Sequence, residues 1–140
     1  MDLNKLTLRQ AIDKLKNKEI SIRELYADVE KAIEEKNSSL NVYLSLDKEA
    51  RQKAEKMLDT PLAGMPFAVK DNFLTRELPT TASSKVLEGF MPPYESTVTE
   101  RLQQNGGVII GKTNMDAWAQ GSSTETSDYG PTKNPRNPKH

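Results

Sequence analysis

The first sixty residues contain no glycine and no proline, while all seven Gly and all eight Pro fall between Pro61 and Pro138. Gly and Pro punctuate turns, so their absence favours long helices and their clustering favours short elements joined by ordered loops. The front stretch also holds 24 of the charged residues against 16 in the back. The chain therefore reads as a helical segment over 1–60 followed by a mixed segment over 61–140, with an α/β fold class. At 140 residues, the whole fits the size of one ordinary domain. Leu, Ile, Val and Phe total 29 residues, a thin core for that length, but a net charge of zero argues against disorder.

Caps mark the front elements. Thr7 caps a first helix that runs to about Asn17, with Leu8, Ala11, Ile12 and Leu15 on one stripe. Ser21-Ile-Arg-Glu24 has the spacing of a capping box, in which the Ser and Glu side chains each satisfy an orphan backbone amide. The helix it opens carries Ile22, Leu25, Tyr26, Val29 and Ile33 at steps of three and four. Val42, Leu44 and Leu46 then alternate with Tyr43 and Ser45, as in a strand. A third helix over about 47–58 is mostly Lys, Arg, Glu, Gln and Ala, and its charges read as a solvated face.

The back segment opens with a turn, Pro61 to Pro66, then a short buried strand, Phe67-Ala-Val-Lys70, which Asp71-Asn72 turns away. Ser96 caps a helix over about 97–104 that stops at Asn105-Gly106-Gly107. Val108-Ile-Ile110 is the most strand-like run, and the strands at 67–70 and 108–110 are expected to lack sheet neighbours that missing sequence would supply. Thr113 or Asn114 starts a further short helix through Trp118, and a polar loop follows from Gly121 to Asp128.

Composition removes several chemistries. No run approaches the ~18–20 apolar residues of a membrane span, and the N-terminus lacks the basic start and apolar stretch of a secretion signal. With no cysteine and a lone histidine, His140, the sequence offers neither a Cys/His metal cluster nor a Ser-His-Asp triad. Twenty basic residues against twenty acidic leave no electrostatic footprint for nucleic acid. A cytoplasmic location is the default.

Gly106-Gly-Val-Ile-Ile-Gly111-Lys112-Thr113 matches the spacing of a phosphate-binding loop, but a helix precedes it where a strand is required. Its middle residues are β-branched and suit an extended buried chain rather than a cradle of amides. Lys112 then sits at the end of a core strand without a phosphate partner. Lys70 is the more informative lysine. Met65, Phe67, Ala68 and Val69 precede it, so it is expected to be partly desolvated, and a desolvated lysine can lose its proton and act as a base, although a lysine at a strand end is more often a surface residue that keeps its ammonium in water.

Gly64-Met-Pro-Phe-Ala-Val-Lys70-Asp71-Asn72 resembles the lysine segment of the amidase signature family. Thr80-Thr81 followed by Ser84, Leu87-Glu-Gly-Phe90, Tyr94-Glu-Ser-Thr97, Gly111-Lys-Thr-Asn-Met-Asp116 and Gly121-Ser-Ser-Thr-Glu-Thr-Ser127 follow in the family's order and spacing. The resemblance spans essentially the whole chain and is most specific from Gly64 to Gly121. It implies an incomplete share of a mixed sheet covered by helices. It also implies a Ser, cis-Ser, Lys mechanism in which Lys70 accepts a proton relayed through the middle serine while the outer serine attacks an amide. Gly121, Ser122, Ser123 and Thr124 would line the substrate pocket. Both serines would lie a few residues beyond His140, approached by Asn134 to Pro138, so the chain is expected to be an N-terminal portion that is inactive alone.

Within the family the resemblance is nearest to the glutamine-hydrolysing subunits of tRNA-dependent amidotransferases, which pass ammonia to a tRNA-bound Glu or Asp. That branch implies glutamine as substrate, the B and C subunits of the amidotransferase as partners, and tRNA contact only through the complex. It also implies ATP used by a partner protein and no cofactor in this chain. Ala117-Trp118 and Gln120 depart from the residues common there, which touches fine specificity. An amide hydrolase of other substrate, or a non-catalytic structural or assembly module, are the rival readings. Ser122 or Ser123 forming a dyad with Lys70 is chemically possible, although a turn whose hydroxyls satisfy the backbone is the simpler reading. Asp71 and Asn72 read as residues that fix the turn and orient the lysine, and Thr80 and Thr81 read as structural.

Overall fold

A computed structural model describes residues 2–137 and 139. Pro138 and His140, the end of the tail and the lone imidazole, lie outside the described residues. Helix α1 spans Leu8–Lys16, and Thr7 caps it through a reciprocal pair in which its hydroxyl accepts from the Gln10 amide and the Gln10 side chain accepts from the Thr7 amide. Helix α2, Ile22–Leu40, opens on the expected box: Ser21 accepts from the Glu24 amide and Glu24 accepts from that of Ser21. It ends at Asn41, whose left-handed φ of 55° turns the chain into strand β1, Tyr43–Leu46. Helix α3 is confined to Ala50–Glu55, shorter than the 47–58 expected. Asp47 is drawn into a turn, with its carboxylate accepting from the Glu49 amide at 2.9 Å. The charges of α3 do face outward, but Ala50 and Ala54 are buried beneath them.

Strand β2, Pro66–Lys70, helix α4, Thr97–Gln104, and strand β3, Val108–Thr113, complete the regular elements. The sheet order is β1-β3-β2, with β3 antiparallel to β1 and parallel to β2. The expectation that a neighbour would be missing is wrong for the strand at 108–110. β2 pairs with β3, and β3 is paired on both sides because the front segment contributes β1 to the same sheet. The outer edges of β1 and β2 have no strand partner among the described residues.

Gly111 sits in mid-strand because β1 passes too close for a side chain. A Cβ there would lie 2.5 Å from the Ser45 carbonyl oxygen. The phosphate-loop spacing is thus produced by a core strand, and the helix expected from Thr113 or Asn114 to Trp118 does not form. β3 runs on to Thr113, and a single 3₁₀ turn at Ala117–Ala119 follows, with left-handed φ at Trp118 and Ala119. The main core joins Ala11, Leu15, Ile22, Leu25 and Tyr26 of the front to Met65, Val108 and Ile110 of the back. The buried Tyr26 hydroxyl donates to the Gly64 carbonyl at 2.9 Å, which fastens α2 to the turn leading into β2.

Candidate active site

β2 and β3 run parallel and finish together, with Lys70 opposite Thr113. The carboxyl ends of parallel strands are where α/β sheets place their ligand sites, because the chain turns away there and leaves a crevice. Lys70 is the last residue of β2 and is exposed, and its ammonium makes no hydrogen bond or ion pair among the described residues. This corrects the expectation of partial desolvation and agrees with the alternative of a surface lysine at a strand end. Successive residues of a strand face opposite sides, and Lys70 shares the open side with exposed Ala68 while Val69 takes the buried one.

The desolvated lysine of this chain is Lys112, the penultimate residue of β3, which is 0% exposed. Its Nζ donates to the Thr80 hydroxyl at 2.7 Å and to the Pro79 carbonyl at 3.3 Å, and it lies 3.2 Å from Oδ1 of Asp71. Burial lowers its pKa from the ordinary lysine value, and the Asp71 carboxylate opposes that shift. Asp71, 1% exposed, is held through both its side chain and its backbone. Its Oδ2 accepts from the Thr81 amide at 3.1 Å, the Ser83 amide at 3.4 Å and the Thr81 hydroxyl. Its own amide donates to the Thr113 carbonyl and its carbonyl accepts from the Ala82 amide, both at 3.0 Å. Oδ1 has no hydrogen-bond donor besides the Lys112 ammonium among the described residues. Taking one partner from a buried ion pair strands the other charge, at a cost of about 3–5 kcal/mol.

The strap from Thr80 to Ser84 carries this network to the polar loop. Ala82 and Ser83 both adopt left-handed φ, 50° and 53°, a costly conformation for residues with a Cβ, and the surrounding bonds hold it in place. Ser83 donates its hydroxyl to Oδ1 of Asn114 at 3.1 Å, and Ser127 donates to the same oxygen at 2.7 Å. The Asn114 amide group donates to the Gly130 carbonyl at 2.7 Å.

Asp116 organises the loop beyond. Its carboxylate accepts from the amides of Ser123 at 3.0 Å and Thr124 at 2.9 Å, and from the amide and hydroxyl of Thr126. These donors favour the ionised form and lower its pKa from the ordinary aspartate value, the Thr124 amide contributing most. Gly121 is required because a Cβ there would collide with the Asp116 carboxyl group.

Gly121, Ser122 and Ser123 are exposed and Thr124 is half-buried, so the loop is open to solvent as a pocket rim would be. No hydrogen bond joins any of them to Lys70 among the described residues. The Ser123 hydroxyl instead donates to the Glu125 carboxylate at 2.9 Å, which satisfies it locally and gives no support to a dyad. No cluster of His, Cys, Asp and Glu that could hold a metal ion occurs among the described residues.

Lys112, Asn114 and Asp116 are the site's organisers that the sequence reading missed. Their signal was present: a charged residue directly after Val108-Ile-Ile-Gly111, in the strongest strand of the chain, has to find a buried partner.

Residues 22–140 match the family model described as Amidase. The chain belongs to the amidase family. Its relatives within that family include the A subunit of glutamyl-tRNA(Gln) amidotransferase from Prochlorococcus marinus, 53% identical over 131 residues, covering 87% of this chain and 27% of that protein. The A subunit from Halothermothrix orenii is 44% identical over 141 residues, covering all of this chain and 30% of its own. Among solved amidase-family folds, the Thermotoga maritima A subunit of glutamyl-tRNA(Gln) amidotransferase superposes with a TM-score of 0.79 at 28% identity, over 99% of this chain and 29% of that one. A 6-aminohexanoate cyclic dimer hydrolase superposes with a TM-score of 0.86 at 26% identity, with the same coverage of 99% and 29%. The chain thus spans less than a third of the length of these relatives.

Proposed function

We propose that this chain is the lysine-bearing part of a glutamine-hydrolysing amidotransferase subunit, with Lys70 as the proton acceptor of a Ser, cis-Ser, Lys mechanism. The carrying observation is the position of Lys70, at the carboxyl end of parallel β2 on the open side of the sheet, in a chain 53% identical to the A subunit of an amidotransferase. In the proposed reaction Lys70 takes the outer serine's proton through the middle serine, the outer serine oxygen adds to the glutamine side-chain carbonyl, and the C–N bond breaks as that proton is returned to the leaving ammonia, leaving an acyl-enzyme that water hydrolyses. Both serines are expected beyond His140. Ammonia then passes to the B subunit, which together with the C subunit amidates Glu or Asp on tRNA at the expense of ATP, in a cytoplasmic complex. The exposed rim of Gly121, Ser122, Ser123 and Thr124 would contact glutamine.

A second reading, an amide hydrolase of different substrate, is favoured by the superposition on 6-aminohexanoate cyclic dimer hydrolase, whose TM-score of 0.86 exceeds the 0.79 of the Thermotoga maritima protein. The deciding experiment uses a protein of the relatives' full length that carries these 140 residues. Lys70→Ala should lower glutaminase kcat by at least the ~10²–10⁴ of a lost general base. Lys70→Arg should be nearly as damaging, because an arginine keeps the charge but cannot accept a proton. Ammonia-dependent amidation should survive both. Retention of glutaminase activity by the Arg variant would remove Lys70 from the chemistry, and activity on other amides without glutaminase would select the second reading.

A further inference from the structure

We propose that the buried Lys112–Asp71 ion pair, with Thr80, is the device that aims Lys70; this rests on the reading of Lys70 as proton acceptor. Asp71 follows Lys70 directly as the chain turns at the end of β2, and burial alternates across Val69, Lys70 and Asp71 as buried, exposed and buried. Anchoring Asp71 on the buried side therefore turns Lys70 to the open side. The anchor is complete: the Asp71 amide and carbonyl bond Thr113 and Ala82, and its carboxylate meets Thr81, Ser83 and Lys112. Lys112 closes the arrangement, since it lies opposite Val69 in the sheet and reaches the strap at Pro79 and Thr80.

Stability alone does not explain such a pair. Replacing both charges of a buried pair by apolar residues is often neutral or stabilising, so two desolvated charges are a poor choice for a purely packing role. What the pair adds is direction. The ammonium at the end of β3 and the carboxylate after β2 bond each other and the same strap, at Pro79–Thr80 and at Thr81–Ser83, so the end of β2, the end of β3 and the strap move as one unit. A base must sit within hydrogen-bond reach of the proton it takes, and a displacement of about 1 Å can cost about 10²-fold in rate.

The test uses the full-length protein in its complex. The double substitution Lys112→Gln with Asp71→Asn removes both charges while keeping hydrogen-bonding groups, with the asparagine matching the aspartate in shape and the glutamine ending one atom short of the lysine. Glutaminase kcat should fall by about 10²-fold with KM changed less than about twofold, while ammonia-dependent amidation is unchanged. A merely structural pair would lower the melting temperature and leave kcat per folded molecule alone. A folded double variant with kcat within about twofold of the parent overturns the proposal. If the double variant does not fold, Thr80→Val decides: it leaves the charges paired, and kcat should fall roughly tenfold, while an unchanged kcat overturns the proposal. Lys70→Ala in the same series separates the two readings. If Lys70→Ala retains activity, the function assigned to Lys70 fails; if it is inactive while the double variant is active, only the positioning role fails.

Discussion

Asp116 shows how one side chain can set the shape of a loop that carries no regular structure. Its carboxylate gathers the amides of Ser123, Thr124 and Thr126, and Gly121 leaves it room. Because those donors lower its pKa below the ordinary aspartate value of 3.8, the carboxylate's contribution is fully present above that pH and is lost as pH falls through the folded-state value. The protection factors of the Ser123 and Thr124 amides should therefore be steady at neutral pH and fall only below pH 3.8. Asp116→Asn should remove that pH dependence and leave both amides weakly protected at any pH. Gly121→Ala should displace the loop and shift the same amide resonances, because the carboxylate it would strike is itself tied down. None of this is legible in the sequence beyond a polar loop: Asp116 precedes the loop by several residues, and only the tertiary turn brings it back over the amides. Lys70 is legible as a strand-end residue, but its exposure is not. The apolar run before it says that the strand is buried and not which side its last residue takes.

Element boundaries are read best where a side chain closes the backbone's own hydrogen-bond deficit. Thr7, Ser21 and Ser96 all cap the helices they are expected to open, because a hydroxyl that accepts from an amide two or three residues on is local chemistry. Ser21→Ala should lower stability by about 1 kcal/mol. That corresponds to a fall of about 3–5 °C in melting temperature for a chain of this size, read by circular dichroism. Thr7→Ala should do less, because α1 is shorter and its loss uncovers less of the core. Legibility fails where an element is bounded by a distant partner. α3 starts late because Asp47 is committed to a turn and to Lys53, 2.7 Å away. The short helix expected before Trp118 is absent because Asn114 and Asp116 spend their side chains on Ser83, Ser127 and the loop amides.

At the scale of the whole molecule, β3 is the member on which everything else depends. It is paired on both sides, it contributes Val108 and Ile110 to the main core and Ile109 to the smaller one, and it carries Lys112. The front and back segments, so different in composition, meet through it, through the packing of α2 and through Asn41, whose side-chain amide donates to the Tyr129 and Gly130 carbonyls. The periphery is less secure. The outer edges of β1 and β2 have no strand partner among the described residues, and a groove of about 530 Å³ is lined by Leu25, Val29 and Ile33 of α2 together with Tyr43 and Phe67 of the sheet. Open edges and uncovered apolar surface erode the ~5–15 kcal/mol that a domain has in hand. The isolated 140-residue chain should therefore melt below about 65 °C. Native-state hydrogen exchange should resolve the gradient: Ile109 to Lys112 should exchange only through global unfolding, while β1 and β2 amides that face away from β3 exchange through smaller openings. Equal protection of all three strands would mean that the molecule opens as a single unit, and β3 would lose its place as the element that holds the site's end of the sheet together.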